Sequence, residues 1–551
     1  MKRQMLVWGA VLAGVAVLGA TAALASPNSG TFTLTTLANA APSGSPDPQV
    51  DYTLQEWQLL ILTHDGLVGF ARAAGRAGTA IVPDLATSVP TPTDGGKTYT
   101  FTLRSGIKFS NGKDVTPQDV KATFERLFKI GDSPNAGSWY NVIVGGDACV
   151  KTPKTCSLDK GITISGNKIS FHLTQGDPEF LDKLAVPFAF ILPASTPAKN
   201  VDIPPAGTGP YMWAEYTPNK EIKLVRNPYF KQWSANAQPA GNPDVILQKF
   251  GLSVESEVTA VENNQADWVF DPIPADRLNE LGTKYANQVY ISPLTADYYF
   301  AFNVRIPPFS NLQARQAVNF ATDRNALVKI YGGPKLAVPT CQVLPPNFPG
   351  YQPYCPYTKS PGATWSAPDM AKAESLMKAS GMKGQAVKVN TTNDPVGKGL
   401  GLYFVGLLNQ LGFKATLQAM SPAIQYPYAQ NSKNKPQFAY SQWFQDYPAA
   451  SDFLNVLLGC DDFHPNSNSS PNIAEFCDKG IQAQMTQALN TGVTDPEKAN
   501  AIWTKVDKAV TDQAVWVDMF NPKLLDFISG NITNHVFSPQ WYFLLDLAKK
   551  K

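Results

Sequence analysis

The sequence predicts an α/β protein of more than one lobe, and three observations predict it. The chain has 551 residues, enough for three to four compact units at roughly 150 residues each, or for one large multi-lobed body. Hydrophobic residues make up 44% and charged residues only 16%, so a large core can form and wholesale disorder is excluded. Segments that alternate polar and apolar residues are interleaved with segments whose apolar residues recur at helical spacing, and 45 prolines and 40 glycines punctuate them. That punctuation excludes a coiled coil or an all-helical bundle. No unit repeats at the spacing of a solenoid or propeller. Lys+Arg is 46 against Asp+Glu 44, a formal charge of +2, which lacks the positive excess of a nucleic-acid-binding protein.

The first 25 residues read as an export signal. Lys2 and Arg3 precede an apolar run over 5–24, and Ala23-Leu24-Ala25 places small residues where a signal peptidase cuts, before Ser26. The other reading is an uncleaved anchor, since a run of about 20 residues just spans a bilayer. No cysteine lies near the cleavage point, so there is no lipoprotein signal. After cleavage the chain is exported, to the periplasm or the cell surface, and formally neutral.

Residues 31–35 alternate and read as a first strand. Residues 55–61 form a short amphipathic helix. Residues 98–104 alternate strictly and make a strand. Thr116-Pro117-Gln118-Asp119 starts a helix: Thr116 caps, Pro117 suits the first turn and Asp119 favours the positive helix end. Val120, Phe124, Leu127 and Phe128 give that helix one buried stripe. Residues 162–173 form a hairpin around Gly166-Asn167, a pair suited to a two-residue primed turn. Strands follow at 221–225, 245–249 and 298–304, then helices at 312–321 and 324–331, the second capped by Thr322-Asp323. A helix over 368–380 stops at Gly381, and a stripe from Leu400 to Leu411 stops at Gly412. Strands at 387–390, 414–417 and 438–441 complete the strand–helix theme.

Six cysteines fit an exported protein. They fall into close pairs, Cys149 with Cys156, Cys341 with Cys355, and Cys460 with Cys477, and local disulfides are expected. A metal site at Cys460, Asp461, Asp462, His464 and Cys477 has no defined zinc spacing, so neither metal nor cofactor is expected. Gly95-Gly96-Lys97-Thr98 lacks the upstream glycine of a phosphate loop, because position 91 is Thr91, and it leads into a strand. Gly207-Thr208-Gly209-Pro210 lacks the third glycine of a dinucleotide fingerprint. No His-Glu-x-x-His, no Gly-x-Ser-x-Gly and no distinctive carboxylate pair supports catalysis.

Taken together, the blocks along the chain resemble the extracellular solute-binding family 5, which serves ABC importers of peptides, nickel and some oligosaccharides. His64-Asp65-Gly66-Leu67-Val68 is similar to a family turn. Pro83-Asp84-Leu85-Ala86, the run from Gly96 through Gly112 and the continuation Val115-Thr116-Pro117-Gln118-Asp119-Val120 match its longest signature. Gly207-Thr208-Gly209-Pro210-Tyr211, Asn227-Pro228-Tyr229-Phe230, Asn303, Arg315-Gln316-Ala317 and Asp323-Arg324 match further blocks.

The resemblance implies a two-lobed clamp of the periplasmic-binding-protein kind, with an extra subdomain and a hinge between lobes. By analogy lobe I comprises 26–63, 190–290 and 515–551, the extra subdomain 64–189, and lobe II 291–514. It implies an exported, non-catalytic and monomeric receptor that captures a peptide or other small polar solute, oligopeptides first, and hands it to ABC permease membrane subunits. The same scaffold holding an oligosaccharide is the alternative, and a secreted hydrolase is a third reading without a motif.

Trp443-Phe444-Gln445-Asp446-Tyr447 resembles the family segment whose aspartate holds the α-ammonium of a bound peptide. That assigns Asp446 to the ammonium through a charge-assisted hydrogen bond. Backbone groups of the strand Phe438 to Ser441 and the Gln445 side chain are expected beside the ligand, with Trp443 and Tyr447 flanking its apolar parts or stacking on a sugar face. A turn cap for Asp446 and a core position for Trp443 are the plainer alternatives. Asn303 matches a position near the cleft, where a hinge hydrogen bond explains it equally well. From 325 to 551 there is no arginine. Lysines such as Lys398, Lys433 or Lys435 lack the bidentate fork that grips a peptide carboxylate, which favours longer peptides or a ligand without a free carboxylate.

Overall fold

The computed structural model describes residues 31–42, 45–131, 133, 136–274 and 276–551. The export signal expected at 1–25 lies outside them. Two large sheets organise the chain. The first has five strands in the order Trp268–Val269, Thr33–Ala38, Val245–Phe250, Glu221–Arg226 and Tyr211–Thr217. Its first three strands are parallel and its last three antiparallel. The second runs Val289–Pro293, Trp516–Phe527, Ala296–Phe302, Phe438–Phe444, Ala386–Thr392 and Lys414–Met420, with Ala337–Pro339 added beside Trp516–Phe527.

The central strands of the second sheet are buried on both faces, so they carry long apolar runs. All seven residues of Ala296–Phe302 are buried. Alternate side chains go to opposite faces. Phe300 and Phe302 pack with Phe404, Leu408 and Phe438 on one face. Tyr299 and Ala301 pack with Phe453, Leu457 and Trp516 on the other. The Tyr299 and Trp516 rings stack at 3.7 Å and 8°. This strand starts two residues before the sequence pattern places it, because burial of both faces removes the alternation that marks a strand start.

The N-terminal lobe buries one continuous core that includes Leu34, Leu60, Phe101, Phe124, Phe171, Ile246 and Phe543. The helix expected at 116 is Pro117–Lys129, with a Thr116–Asp119 capping box, and its stripe Val120, Phe124, Leu127 and Phe128 is buried. The expected hairpin forms from Ile162–Ser165 and Lys168–His172. The helix Leu54–Thr63 differs from its amphipathic reading. It is buried from Gln55 to Thr63, since the C-terminal segment covers its polar face and Gln58 donates to the carbonyls of Trp541 and Phe543. Gly207 and Gly209 pass so close to the end of that helix that a Cβ on either would strike the Thr63 or Leu62 carbonyl.

The three cysteine pairs are joined as expected, Cys149–Cys156, Cys341–Cys355 and Cys460–Cys477, with Cα–Cα distances of 4.5, 4.9 and 4.6 Å. Gly95 and Gly96 have positive φ and turn the chain into Thr98–Thr102, as a plain turn before a strand. Among the described residues no helix is long and apolar enough to cross a membrane.

One element ties the lobes together. Trp516–Phe527 is 12 residues long. Its first half pairs with Ala296–Phe302 and its second half with Val289–Pro293. Phe520 packs in the second-sheet core, whereas Leu525 and Phe527 pack with Leu37, Val258 and Val261 of the first lobe. The bulge between Tyr298 and Tyr299 lies at this changeover.

Candidate functional site

The strand Phe438–Phe444 lies at the heart of the second sheet. On one side it pairs with Ala296–Phe302 along its whole length. On the other side its ladder with Ala386–Thr392 stops at Ala439. The edge from Tyr440 to Phe444 is therefore open to another extended backbone, apart from Gln425 Nε2, which donates to the Tyr440 carbonyl at 2.9 Å. Such an edge is a template for strand addition. The chain leaves this strand directly into Gln445, Asp446 and Tyr447 at the seam between the lobes.

Each residue of that block meets a partner from the first lobe. Gln445 N–H donates to the Thr295 carbonyl at 3.0 Å, and its side chain donates to Pro539 O at 3.2 Å and Gln540 Oε1 at 2.9 Å. Gln540 Nε2 donates to the Asp446 carbonyl at 2.6 Å. The Tyr52 hydroxyl donates to Asp446 Oδ2. Tyr447 is buried among first-lobe core residues, edge-on to Trp139 at 5.4 Å, with Lys183 Nζ 6.0 Å from its ring. Tyr447 thus packs between the lobes in this structure.

Asp446 is buried, and burial pushes its carboxyl up to about 7 while bonds from Tyr52 and Asp452 oppose the rise. Among the described residues no lysine or arginine offsets that rise. Asp452, in the first turn of the helix Ala450–Leu458, accepts the Asp446 N–H at 3.0 Å. It is wholly buried, and burial together with the neighbouring Asp446 holds its carboxyl well above the usual range. The preceding residue, Ser451, donates to Glu179 of the region between the first-lobe strands.

The other expected residues divide. Trp443 lies opposite Asp297 and packs against the Phe453 side of the sheet, with its indole on Asp452. Ser441 lies opposite Tyr299 in mid-strand. Asn303 is not brought to the block. It follows the other end of Ala296–Phe302, roughly 20 Å of strand away. There its amide donates to Glu475 Oε1 at 2.8 Å and its Oδ1 accepts from Arg305 N–H. Tyr52, Gln540 and Asp452 complete the seam without any local sequence signal, because the first two reach it from opposite ends of the chain.

Two small cavities of about 220 and 260 Å³ lie elsewhere, lined in part by Asn111, Pro205 and Ala206. Among the described residues no group of three or more His, Cys, Asp or Glu is placed to hold a metal ion.

Two α/β lobes, a shared strand between them and an open strand edge ending at a buried carboxylate define a ligand-binding clamp. Residues 80–465 match the bacterial extracellular solute-binding proteins, family 5 Middle, and the chain belongs to that family. The glutathione-binding protein GsiB of Salmonella typhi is 25% identical over 470 residues, 84% of this chain and 85% of that protein. Among solved structures, the clavulanic acid biosynthesis oligopeptide binding protein 2 superposes with a TM-score of 0.84 at 23% identity, covering 94% of this chain and 96% of that one. The Escherichia coli murein tripeptide binding protein MppA gives 0.76 at 20% identity, covering 95% and 99%. The chain is a solute-binding protein of this two-lobed fold.

Proposed function

We propose that this protein is the exported receptor of an ABC importer, capturing peptides between its lobes and delivering them unaltered to permease subunits in the membrane. Oligopeptides are its main cargo, and it acts as a monomer. The lobes divide at 291 and 514, with 64–189 as the extra subdomain, and closure around the peptide makes the shape that the permease reads. The observation that carries the peptide reading is the pairing of an open strand edge, 440–444, with a buried carboxylate at its end. Edge backbone groups hold an extended peptide whatever its side chains. Asp446, which no cation among the described residues neutralises, takes the α-ammonium.

Relatives named for glutathione, an oligopeptide and a murein tripeptide support the same ligand class. A preference for longer peptides is supported by the fate of the lobe II arginines. Arg324 bonds the Thr340 and Asp518 carbonyls, Arg315 bonds the Phe309 and Gln513 carbonyls, and Arg305 bonds the Glu475 carbonyl. None is left at the seam for a peptide carboxylate.

Thermal unfolding with and without ligand tests the proposal. Tri- to pentapeptides at a hundred times Kd stabilise by about 2.7 kcal/mol and are recovered intact. Stabilisation by sugars alone, or recovery of cut peptides, overturns it.

A further inference from the structure

We propose that Gln425 is the far stop of the ligand slot: its side-chain amide takes the strand position next to Tyr440, so an extended peptide anchored at Asp446 has room for about five residues. This rests on the reading of 440–444 as the ligand's edge and adds a length preference to it.

The strands Phe438–Phe444 and Ala386–Thr392 part in a fork. Their last registered pair is Asn390 with Ala439. Ala386–Thr392 runs on to Thr392, paired on its other side with the strand that ends at Met420. The helix Pro422–Gln430 follows at once, behind its N-cap Ser421, and sets Gln425 in the fork. There Gln425 is 0% exposed and its Nε2 donates to the Tyr440 carbonyl at 2.9 Å. An added strand would bring a backbone N–H to such a carbonyl. Gln425 brings a side-chain N–H instead.

Beyond Tyr440 the edge changes character. Alternate residues of an antiparallel strand turn their N–H and C=O groups to opposite sides. Asn303 N–H donates to the Gln437 carbonyl and Gln445 N–H to the Thr295 carbonyl, both at 3.0 Å. The odd-numbered residues therefore face Ala296–Phe302, and Tyr440, Gln442 and Phe444 face the open side. Tyr440 is buried and its carbonyl is taken, whereas 441–444 are half-buried. A peptide whose N-terminus is held at Asp446 runs back along this stretch and meets Gln425 at Tyr440. Positions 441–445 lie between the two ends, about 17 Å of strand, and a paired strand rises at the same rate. A sixth residue has to leave the edge.

The stop also has unused bonding capacity. Gln425 Oε1 and Asn390 Oδ1 have no hydrogen-bond partner among the described residues, although Asn390 is only 1% exposed. Because Nε2 faces a carbonyl, Oε1 is the atom left over. A buried acceptor without a donor is costly, and an acceptor at this end of the slot suits the N–H of a peptide that reaches it.

The test is calorimetric titration of the full chain with oligo-alanine amides of three to eight residues, against wild type, Gln425→Ala and Gln425→Ser. In wild type the affinity rises by about fivefold for each hydrogen bond that an added residue makes, then levels off at about five residues. In both variants the rise continues to six or seven residues. A wild-type rise that continues through eight residues, or levelling at the same length in all three chains, overturns the stop and leaves the edge reading intact. Equal binding of free and N-acetylated pentamers, or affinities that ignore length altogether, overturn the edge and ammonium reading itself. Wild type alone gives a second readout, independent of how the variants fold. A hexamer with a benzophenone side chain on its sixth residue, irradiated in the complex, is expected to label the tryptic fragment 415–433, which contains Gln425. Labelling confined to other fragments overturns the assignment.

Discussion

At the hinge the lobes are joined by backbone; at the cleft seam they are joined by side chains. The strand Trp516–Phe527 belongs to both lobes, hydrogen-bonded to Ala296–Phe302 at one end and to Val289–Pro293 at the other. Its side chains sit in two apolar cores. The seam is held by Tyr52 on Asp446, Gln445 and Gln540 on each other's segments, Ser451 on Glu179, and Tyr447 against Trp139. Backbone ladders survive a small rotation. Buried carboxylates resist being closed upon. The contrast teaches that the hinge fixes which closure is possible, whereas the seam leaves its free energy to be set by what it encloses.

The comparison breaks most visibly at its charged centre. Asp446→Asn is expected to weaken peptides with free N-termini by a hundredfold or more, in line with the 3–5 kcal/mol lost when a buried charge pair loses one partner. N-acetylated peptides are spared. Calorimetric titration of both peptide classes checks this, and no change in overall unfolding temperature is expected beyond a few degrees.

A hinge-side substitution should behave the opposite way. Arg324 is wholly buried behind the strand, and its guanidinium donates to the Thr340 and Asp518 carbonyls at 2.6 and 2.8 Å. It is also the cation that offsets the buried Asp297 and Asp518 carboxyls, both held high by burial. Arg324→Met strands these groups, with an expected loss of about 3–5 kcal/mol of stability in denaturant unfolding.

Acid sharpens the contrast. Burial pushes Asp51, Asp182, Asp446, Asp462 and Asp507 up to about 7. In the unfolded chain such groups titrate near 4. Between those values the folded state holds more protons, so this stability is fully present below about pH 4 and is lost as pH rises through 7. His64 opposes it, since burial lowers its imidazole to about 4, and its share is lost as pH falls from 6.5 toward 4. Five groups outweigh one, and the unfolding temperature is expected to be higher at pH 5.5 than at pH 8, with about 1.4 kcal/mol per shifted unit as the ceiling for each group.

The smallest expected effect lies at the outer rim of the seam. Val493, in the turn between the helices Lys479–Gly492 and Pro496–Asp512, rests against Gly96 and Gly176 of the first lobe. Gly96 has φ +82°, and a Cβ there would strike Val493. Gly96→Ala is expected to hinder closure by roughly 1–3 kcal/mol through overpacking, seen as weaker peptide binding.

Much of this architecture was legible where the signals are local. The helices Leu312–Ala321 and Arg324–Tyr331 have the bounds that the sequence pattern gives them, and Asp323 caps the second, its side chain accepting first-turn N–H groups. Gly381 and Gly412 end their helices in the left-handed region, as read. The hinge strand was not legible. Asp518, Asn521 and Pro522 interrupt its apolar pattern, and an interior proline argues against a strand. Pro522 is tolerated where the strand changes partners, facing the short edge strand Ala337–Pro339. At the site, the block around Asp446 could be read from its neighbours in sequence. Its partners could not, because Tyr52 lies 394 residues from Asp446 and Gln540 lies 94 away.

The central claim is that a peptide closes the lobes by replacing weak seam contacts with its own. Small-angle scattering of the full chain, titrated with tetra-alanine and with its N-acetylated form, measures this directly. A radius of gyration that falls on saturation with the free peptide and returns on its removal is the expected result. A profile that stays the same at saturating, calorimetrically verified binding contradicts the account.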